Sequence, residues 1–380
     1  MDDEKLTILK LSRTTGFTST MFYRLLKKCY STSDMIGNID QICRKNVKIC
    51  SDENIQLEFE KCEKLGAKLI TYRDSEYPRY LRVIQPFPLV LTCRGNLSLL
   101  NAERKVAVVG SRNCSINTSN FTRKISREIS SYGYFIVSGL ARGVDAASHI
   151  GSLENGTIAV LGNGIDTIYP KENEYLYHEI LDNNGLIISE FPIGTKPRPE
   201  NFPIRNRTIA GISRGVLIIS AGLGSGSLHT ANQVLKYGRE VLVLPGNPYD
   251  ANYAGSNKLL QDGATMVIDA RDVIENLESF RLTESTDHTD LDLEPDYGDF
   301  KSYQEEDNGS AAREDFRELT TEELLLSKLD HCPIDVGELV DNMDVGIGEI
   351  NSILTKLNLE GKIYIDSGKV CLLGNPTIDG

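Results

Sequence analysis

The chain is 380 residues long, with 40% hydrophobic and 25% charged residues and a formal net charge of −13. This composition is ordinary for a globular protein of two or three domains. No run approaches ~18 uninterrupted apolar residues, and the first residues, MDDEKLTILK, lack the basic and apolar segments of a secretory signal, which predicts a cytosolic protein that does not span a membrane.

The cysteines argue against a metal site. Eight of them are scattered along the chain without any C-x-x-C pair. Zinc sites and the disulfide frameworks of secreted proteins depend on characteristic cysteine spacings, so neither is indicated. We therefore predict reduced thiols, with no metal ion and no cofactor.

The negative charge is concentrated in the last hundred residues. Residues 281–315 carry −9 and residues 316–380 carry −7, which leaves +3 for residues 1–280. Because a local patch attracts an anion, whatever the sum over the chain, an anionic ligand is compatible with this protein.

Residues 1–65 predict a small helical domain. The stretch LKLSRTTGFTSTMFYRLLKKCY reads as a helix, a glycine turn and a second helix, similar to a SAM or helix-hairpin-helix domain. Two strand-like runs, KLITY and PLVLTCRG, then lead into the main domain, which we place at residues 66–280.

The main domain alternates strands with helices. Short β-branched runs recur between residues 104 and 277, separated mostly by segments of helical length: KVAVVG, YFIVSG, TIAVLG, LIISE, GVLIIS, VLVLPG and TMVID. This alternation predicts a Rossmann-like α/β fold, in which a doubly wound, mostly parallel sheet is covered by helices on both faces.

The C-terminal region divides into a linker and a third domain. Residues 281–315 are poor in apolar side chains and rich in acid, which predicts a disordered linker. Residues 316–380 show three helical patterns and a hairpin turned by Ser367-Gly368, the order of a winged helix. Its third helix carries Glu349 and Glu360 against Lys356. A helix that follows phosphates is expected to be basic, so we predict that this domain docks a protein or regulates access instead of contacting a DNA backbone.

Three glycine-rich turns follow strands of the main domain. In doubly wound sheets ligands bind outside the carboxyl ends of the strands, where helix N-termini offer backbone N–H groups to an anion. Phosphate is the candidate ligand. The candidate ligand-binding residues in these turns are Gly110, Ser111, Arg112, Ser138, Gly139, Arg142, Gly143, Gly224, Ser225, Gly226 and Ser227.

Packing is the alternative explanation of each turn. Glycine at a strand-to-helix turn often serves tight geometry alone. Arg112 and Arg142 are harder to explain in that way, because an unpaired buried guanidinium is costly. Asp145 could pair with one of them or cap the helix that it opens.

The loop KPRPENFPIRNRTIAG, Lys196–Gly211, combines prolines with basic residues. Its prolines restrict φ, so a loop ending in a helix near Ile204 would present Arg198, Arg205 and Arg207 in a fixed set. Phe202 is either a core plug at the base of the loop or a platform on which a base stacks. Lys258, placed at a helix start after the sixth strand, is either a further phosphate contact or a solvated surface lysine.

Several long motifs, in order, carry a family resemblance. GSR, SGLARGVDAASH, TIAVLGNGIDTIYPKEN, SEFPIGTKPRPENFPIRNRTIAGIS, SGSLHTA, GREVLVLPG and GSNKLLQDGA together resemble DNA-processing protein A, the DprA/Smf family. The resemblance covers residues 105–265 closely and both flanking domains loosely.

The resemblance implies an extended Rossmann domain that binds single-stranded DNA. It further implies a homodimer that passes incoming DNA to a RecA-type recombinase in natural transformation, without catalysis. Carried over by motif, it adds Lys196 and Asn206 to the residues that contact DNA, beside the candidates named above.

Two other classes of protein share this type of sheet. Phosphoribohydrolases use P-G-G-x-G-T with a catalytic Glu, whereas GLGSGSLHTA contains His229 and no acid. Dinucleotide oxidoreductases use G-x-G-x-x-G, which Gly222 and Gly224 begin but Ser227 breaks. A nucleotide-processing enzyme is the stronger of these two alternatives.

Overall fold

The structure is a computed structural model that describes residues 3–29, 32–42, 48–279 and 319–373. The predicted acidic linker, residues 281–315, lies outside the described residues. Within the described ranges no helix has the length and apolar character that crossing a bilayer requires. The described cysteines are all free thiols: Cys29, Cys50, Cys62, Cys93, Cys114, Cys332 and Cys371.

Four helices open the chain. They are α1 (Asp3–Ser12), α2 (Ser19–Leu26), α3 (Thr32–Ile42) and α4 (Asp52–Lys64). The N-cap hydroxyls of Thr18 and Ser51 accept backbone N–H bonds at the starts of α2 and α4, as short polar residues do at helix starts. The buried apolar side chains of these helices belong to the same cluster as side chains of the main sheet, so this region is packed directly on the sheet.

A nine-stranded sheet forms the centre of the molecule, with strand order β1-β2-β6-β5-β4-β3-β7-β8-β9. β1 and β2 are antiparallel to their neighbours, and every other pairing is parallel. The strands are β1 (Ala67–Thr71), β2 (Val90–Gly95), β3 (Lys105–Val109), β4 (Phe135–Ser138), β5 (Thr157–Leu161), β6 (Leu186–Ser189), β7 (Gly215–Ile218), β8 (Glu240–Val243) and β9 (Thr265–Met266). The mostly parallel, Rossmann-like sheet predicted from the sequence is confirmed.

Helices cover both faces of this sheet. Alternate residues of β3 point to opposite faces: Ala107 and Val109 lie in one apolar cluster, Val106 and Val108 in another. The helices are α5 (Arg79–Arg82), α6 (Ile116–Ser131), α7 (Val144–Ser152), α8 (Glu174–Asp182), α9 (Asn201–Ile212), α10 (Gly226–Lys236), α11 (Ala254–Gln261) and α12 (Ala270–Ser279). The first cluster includes side chains of α9, α10 and the N-terminal helices, and the second includes side chains of α6 and α12.

The C-terminal unit, residues 319–373, has its own apolar core and a three-stranded antiparallel sheet of order β10-β12-β11. A capping box of Thr320 and Glu323 starts its first helix. Ser367 and Gly368, both with positive φ, turn its hairpin. Its elements are α13 (Thr321–Lys328), β10 (Ile334–Asp335), α14 (Val336–Asp341), α15 (Ile347–Leu359), β11 (Ile363–Asp366) and β12 (Lys369–Leu372). Three helices and a hairpin are present, and the assignment as a winged helix stays a prediction.

A lysine is buried at the amino edge of the sheet. Lys105 has no exposed surface, its Nζ donates to the Leu100 carbonyl, and it lies 5.6 Å from the centre of the Tyr80 ring. Burial, together with the charges of Arg239 and Arg79, lowers the pKa of Lys105 to about 7.

Lys105 is expected to make stability depend on pH above neutrality. Its pKa is lower in the folded chain than in the unfolded chain, so the unfolded state binds more protons between the two values, and the free energy of unfolding rises with pH across that window. We expect Lys105→Met to remove a slope of up to about 1.4 kcal/mol per pH unit. Urea unfolding between pH 7 and 9.5 measures it. Lys124→Met, on an exposed lysine of α6, is the matched control, and an equal slope in wild type and Lys105→Met would contradict the assignment.

Candidate nucleic-acid interface

The candidate site lies where the strand order of the sheet reverses. β3 is flanked by β4 on one side and β7 on the other, because the chain adds β4, β5 and β6 outward before it returns to form β7. The connections that leave β3 and β7 therefore diverge at the carboxyl edge of the sheet. A crevice opens at such a point, and it is where α/β proteins bind their ligands.

The turn after β3 is held against the one after β7. The Ser111 N–H donates to the Ser220 hydroxyl at 3.3 Å, and the Ser227 hydroxyl donates to the Gly110 carbonyl at 3.1 Å. The Ser111 hydroxyl also lies 3.4 Å from Asn252 Oδ1, in the connection that follows β8. Three connections are thereby joined around Ser111.

The turn after β4 packs onto the first turn through Gly143. Gly143 has a φ of +72°, and a Cβ at this position would overlap the carbonyl groups of Ser111 and Arg112. Only glycine combines this backbone conformation with so close an approach. The glycine that the sequence analysis selected as a ligand candidate thus has a packing role that brings two candidate turns together.

Gly139, in the same turn, lies between two buried charged groups. Its N–H donates to Asp145 at 3.1 Å and its carbonyl accepts from Arg205. Burial raises the pKa of Asp145, and the charges of Arg205 and Arg112 partly offset this. The sequence suggested Arg112 or Arg142 as the partner of Asp145, whereas the largest compensating charge is that of Arg205, with Arg112 second, so the pairing with Arg112 or Arg142 stays a prediction. Ser138, directly before Gly139, is fully buried and donates to the Val108 carbonyl at 2.7 Å.

Two guanidinium groups remain at the surface of this edge. Arg112 is half-buried and lies 5.4 Å above the centre of the Phe202 ring, a cation–π arrangement that orients it. Arg142 is also half-buried, and no hydrogen bond or ion pair to its side chain is found within the described ranges. A cation without a protein partner beside helix N-termini attracts an anion.

The turn after β7 leads into α10, whose start is not capped by its own side chain. Ser225 is the N-cap residue and makes no side-chain cap bond, and its hydroxyl is buried without a partner among the described residues. Gly224 takes a positive φ, and Gly226 begins the helix. The first N–H groups of α10 therefore lack the usual side-chain acceptor, which suits an anionic ligand.

The proline-rich segment becomes helical earlier than the sequence predicted. The sequence predicted a loop up to a helix near Ile204, but α9 begins at Asn201, so Phe202 and Pro203 lie in its first turn, where proline is tolerated. Phe202 is 7% exposed and packs against Gly162 and, at 6.0 Å between ring centres, against Tyr169. Its burial favours the core plug over the stacking platform.

Two of the predicted cations are engaged inside the protein. Arg205 is 3% exposed and donates to the carbonyls of Gly139 and Val160. Arg207 forms a nearly buried ion pair with Glu190 at 3.2 Å. The expectation that both present their guanidinium groups to phosphates is thus corrected: they lie on α9 with their side chains facing the protein interior.

Of the remaining candidate residues, one lies at the site and three lie on the exposed surface. Asn206 donates to the Gly226 carbonyl at 3.3 Å and so links α9 to the start of α10. Lys196 and Arg198 are exposed on the loop before α9. Lys258 lies in the second turn of α11 instead of at its start, and it pairs with Asp262 at 2.8 Å on the exposed surface, which corrects its predicted position.

Sequence reasoning overlooked Ser220 and Asn252, which position Ser111. Ser220 ends the run GVLIIS, and a hydroxyl at the carboxyl end of a central strand is a signal that could have identified it. Asn252 offers no comparable signal, because its contact with Ser111 joins residues far apart in the chain.

The comparisons with known proteins agree on one family. Residues 68–278 match the family described as DNA recombination-mediator protein A. Over 279 residues the chain is 36% identical to the DNA processing protein DprA of Streptococcus pneumoniae, covering 71% of this chain and 97% of that protein. Over 364 residues it is 33% identical to Protein Smf of Synechocystis sp., covering 91% of each.

Two solved structures are similar to this chain. The X-ray structure of DprA from Streptococcus pneumoniae is 32% identical with a TM-score of 0.60, covering 72% of this chain and 98% of that one. A structure described by the single-stranded DNA binding mode of DNA processing protein A from Helicobacter pylori is 32% identical with a TM-score of 0.51, covering 56% of this chain and 96% of that one. On this evidence the chain belongs to the DNA recombination-mediator protein A family, the DprA/Smf proteins.

Proposed function

We propose that this protein binds single-stranded DNA at the carboxyl edge of its main sheet and acts in DNA recombination. The observation that carries the proposal is the meeting of the turns after β3 and β4 with the uncapped start of α10, beside the half-buried Arg112 and Arg142. Backbone N–H groups at helix starts and two guanidinium groups match the phosphates of a nucleic acid backbone.

One relative supports single-stranded DNA as the ligand. The Helicobacter pylori protein is described by its single-stranded DNA binding mode, and this chain is 32% identical to it. Affinity then comes from phosphate contacts, which carry little sequence information, so we expect binding that depends on salt and hardly on sequence.

We further propose that the protein binds without catalysis, forms homodimers, and delivers its single strand to a RecA-type recombinase in the cytosol. The family resemblance supports these points. His229, in the first turn of α10, is the histidine that the glycine-rich run offers as a base, and among the described residues no carboxylate is hydrogen-bonded to it. A histidine that acts as a base is normally oriented by such a partner.

Arg142→Ala is expected to weaken single-strand binding roughly tenfold or more, because one charge-assisted contact to a phosphate is lost. The slope of log affinity against log salt should become shallower by about 0.7. Fluorescence anisotropy of a labelled single strand over a salt series measures both. Arg127→Ala, on an exposed arginine near the far end of α6, is the matched control and should change neither.

The same assay tests the alternative of a nucleotide-processing enzyme. Single-stranded DNA, duplex DNA and mononucleotides are compared for binding, and the mononucleotides also for hydrolysis. We expect tightest binding to the single strand and no turnover. Hydrolysis of a mononucleotide that Arg142→Ala abolishes would contradict the proposed function and favour the enzyme.

A further inference from the structure

The acidic C-terminal unit contacts the main domain at the start of α6. Asn117 donates to Asp330 at 3.1 Å and to the Cys332 carbonyl at 3.2 Å, and Asn120 donates to Glu338 at 2.8 Å. We call residues 115–120, with which α6 begins, the docking face.

The contact has a buried part as well as a polar one. The Ser115 hydroxyl donates to Asp330, and the side chain of Ile116, which is 3% exposed, belongs to the apolar core of the C-terminal unit. Apolar burial of this kind, together with several hydrogen bonds, distinguishes a specific interface from a chance touch.

The docking face adjoins the candidate DNA site. α6 is the helix that follows β3, and only residues 110–115 separate that strand from the helix start. The start of such a helix is where an α/β protein binds an anion. Here the Asp330 carboxylate lies at this start, bonded to Ser115, which is itself the N-cap residue of α6. A carboxylate and a phosphate are alternative anions for one helix end.

The negative charge of the C-terminal unit acts on phosphates beyond the residues in contact. Residues 319–373 carry ten acidic and four basic side chains, a net charge of −6. The screening length is about 10 Å at 0.1 M salt and about 30 Å at 0.01 M, so a docked unit repels a phosphate chain from the turn after β3, most strongly at low salt.

We propose that the C-terminal unit is an intramolecular gate for the DNA site. Docked through Asp330 and Glu338 on the docking face, it hinders phosphates from reaching the turn at Gly110–Arg112; released, it leaves that turn open. This inference rests on the proposed function, since it concerns access to the same site.

A reversible lock tests the gate in the full chain. In a Cys332→Ser background, Asn120→Cys and Glu338→Cys replace side chains that bond each other at 2.8 Å. A short thiol-specific cross-linker with a cleavable spacer then joins them. We expect the locked protein to bind a labelled single strand at least threefold more weakly at 50 mM salt than the same sample after cleavage, with the difference shrinking as salt rises.

A second variant releases the unit without changing the charge. Asn117→Ala/Asn120→Ala removes three hydrogen bonds across the interface and is expected to tighten single-strand binding at low salt. Asp341→Asn/Asp344→Asn, on exposed acids of the same unit outside the contact, reports the effect of charge alone.

Each outcome decides a different point. Failure of the cross-link to form, or equal affinity before and after cleavage, would overturn the gate while leaving the proposed function intact. A chain that binds no single strand in either state would contradict the proposed function and the gate with it.

Discussion

Phe202→Ala is expected to lower the free energy of unfolding by about 3–5 kcal/mol, because it leaves a cavity where a buried ring fills the space between β5 and α9. The ring also lies 5.4 Å from the Arg112 guanidinium and 5.6 Å from that of Arg205, so both lose the surface that orients them. Affinity for single-stranded and duplex DNA should therefore fall together. Thermal or urea unfolding and two binding titrations measure these effects.

Phe202→Leu is the matched control for this prediction. It keeps most of the apolar volume and is expected to cost less than about 1.5 kcal/mol. A Phe202→Ala protein that unfolds like wild type but loses affinity for single strands alone would show that the ring stacks on bases. The interpretation of Phe202 as a core plug would then be wrong.

Arg205→Ala is expected to destabilise the fold by a comparable amount, about 3–5 kcal/mol. The reason is that it leaves the buried carbonyls of Gly139 and Val160 without their donor and the buried Asp145 without its largest compensating charge. Adding Asp145→Asn should restore part of the loss, because the uncompensated carboxylate is then gone. Urea unfolding of the two variants and of Asp145→Asn completes the cycle.

The stability lost in Arg205→Ala is expected to depend on pH with a definite sign. Burial already raises the pKa of Asp145, and losing Arg205 raises it further; a carboxyl whose pKa is raised by folding contributes stability at low pH that is lost as pH rises through the folded pKa. Burial, and to a smaller extent the charge of Arg205, lower the pKa of His149 to about 3. Removing Arg205 takes away the smaller of these two causes, and the resulting rise in the pKa of His149 acts in the same direction. The deficit of Arg205→Ala relative to wild type should thus be smaller at pH 5 than at pH 8.

Salt dependence separates Arg205 from Arg142. A buried arginine that holds Gly139 in place contacts no phosphate, so the variant is expected to lose affinity without a shallower salt slope, whereas Arg142→Ala changes the slope. Wild-type stability combined with a shallower slope for Arg205→Ala would instead make Arg205 a phosphate ligand.

Local patterns in the sequence were sufficient to predict the main sheet and the positions of the turns at the candidate site. Apolar runs such as KVAVVG and GVLIIS became the central strands, because a parallel sheet covered on both faces requires continuous burial of its strands. The same logic located Gly110, Gly139 and Gly143 at the carboxyl edge, since ligand-binding turns follow strands in this class of fold.

Side-chain direction could not be read from the same patterns. The basic side chains of the proline-rich segment looked like one cationic set. However, α9 begins four residues after Pro197, and the helix directs the side chains of Arg205 and Arg207 toward buried partners. Proline is tolerated both in the first turn of a helix and in a loop, so the sequence does not distinguish the two. The start of α9 and the direction of these arginines were therefore decided by packing.

Contacts between distant segments were decided by the tertiary structure alone. Asn252 reaches Ser111 across 141 positions, and Asp330 reaches Ser115 across 215. The sequence by itself determined that the C-terminal unit is acidic, and it predicted an anion site at a glycine-rich edge where helices start. Only the fold brought that acid to the start of α6, because hydrogen-bond partners and apolar contacts of this separation are selected by the packing of whole elements and leave no periodic signal in the chain.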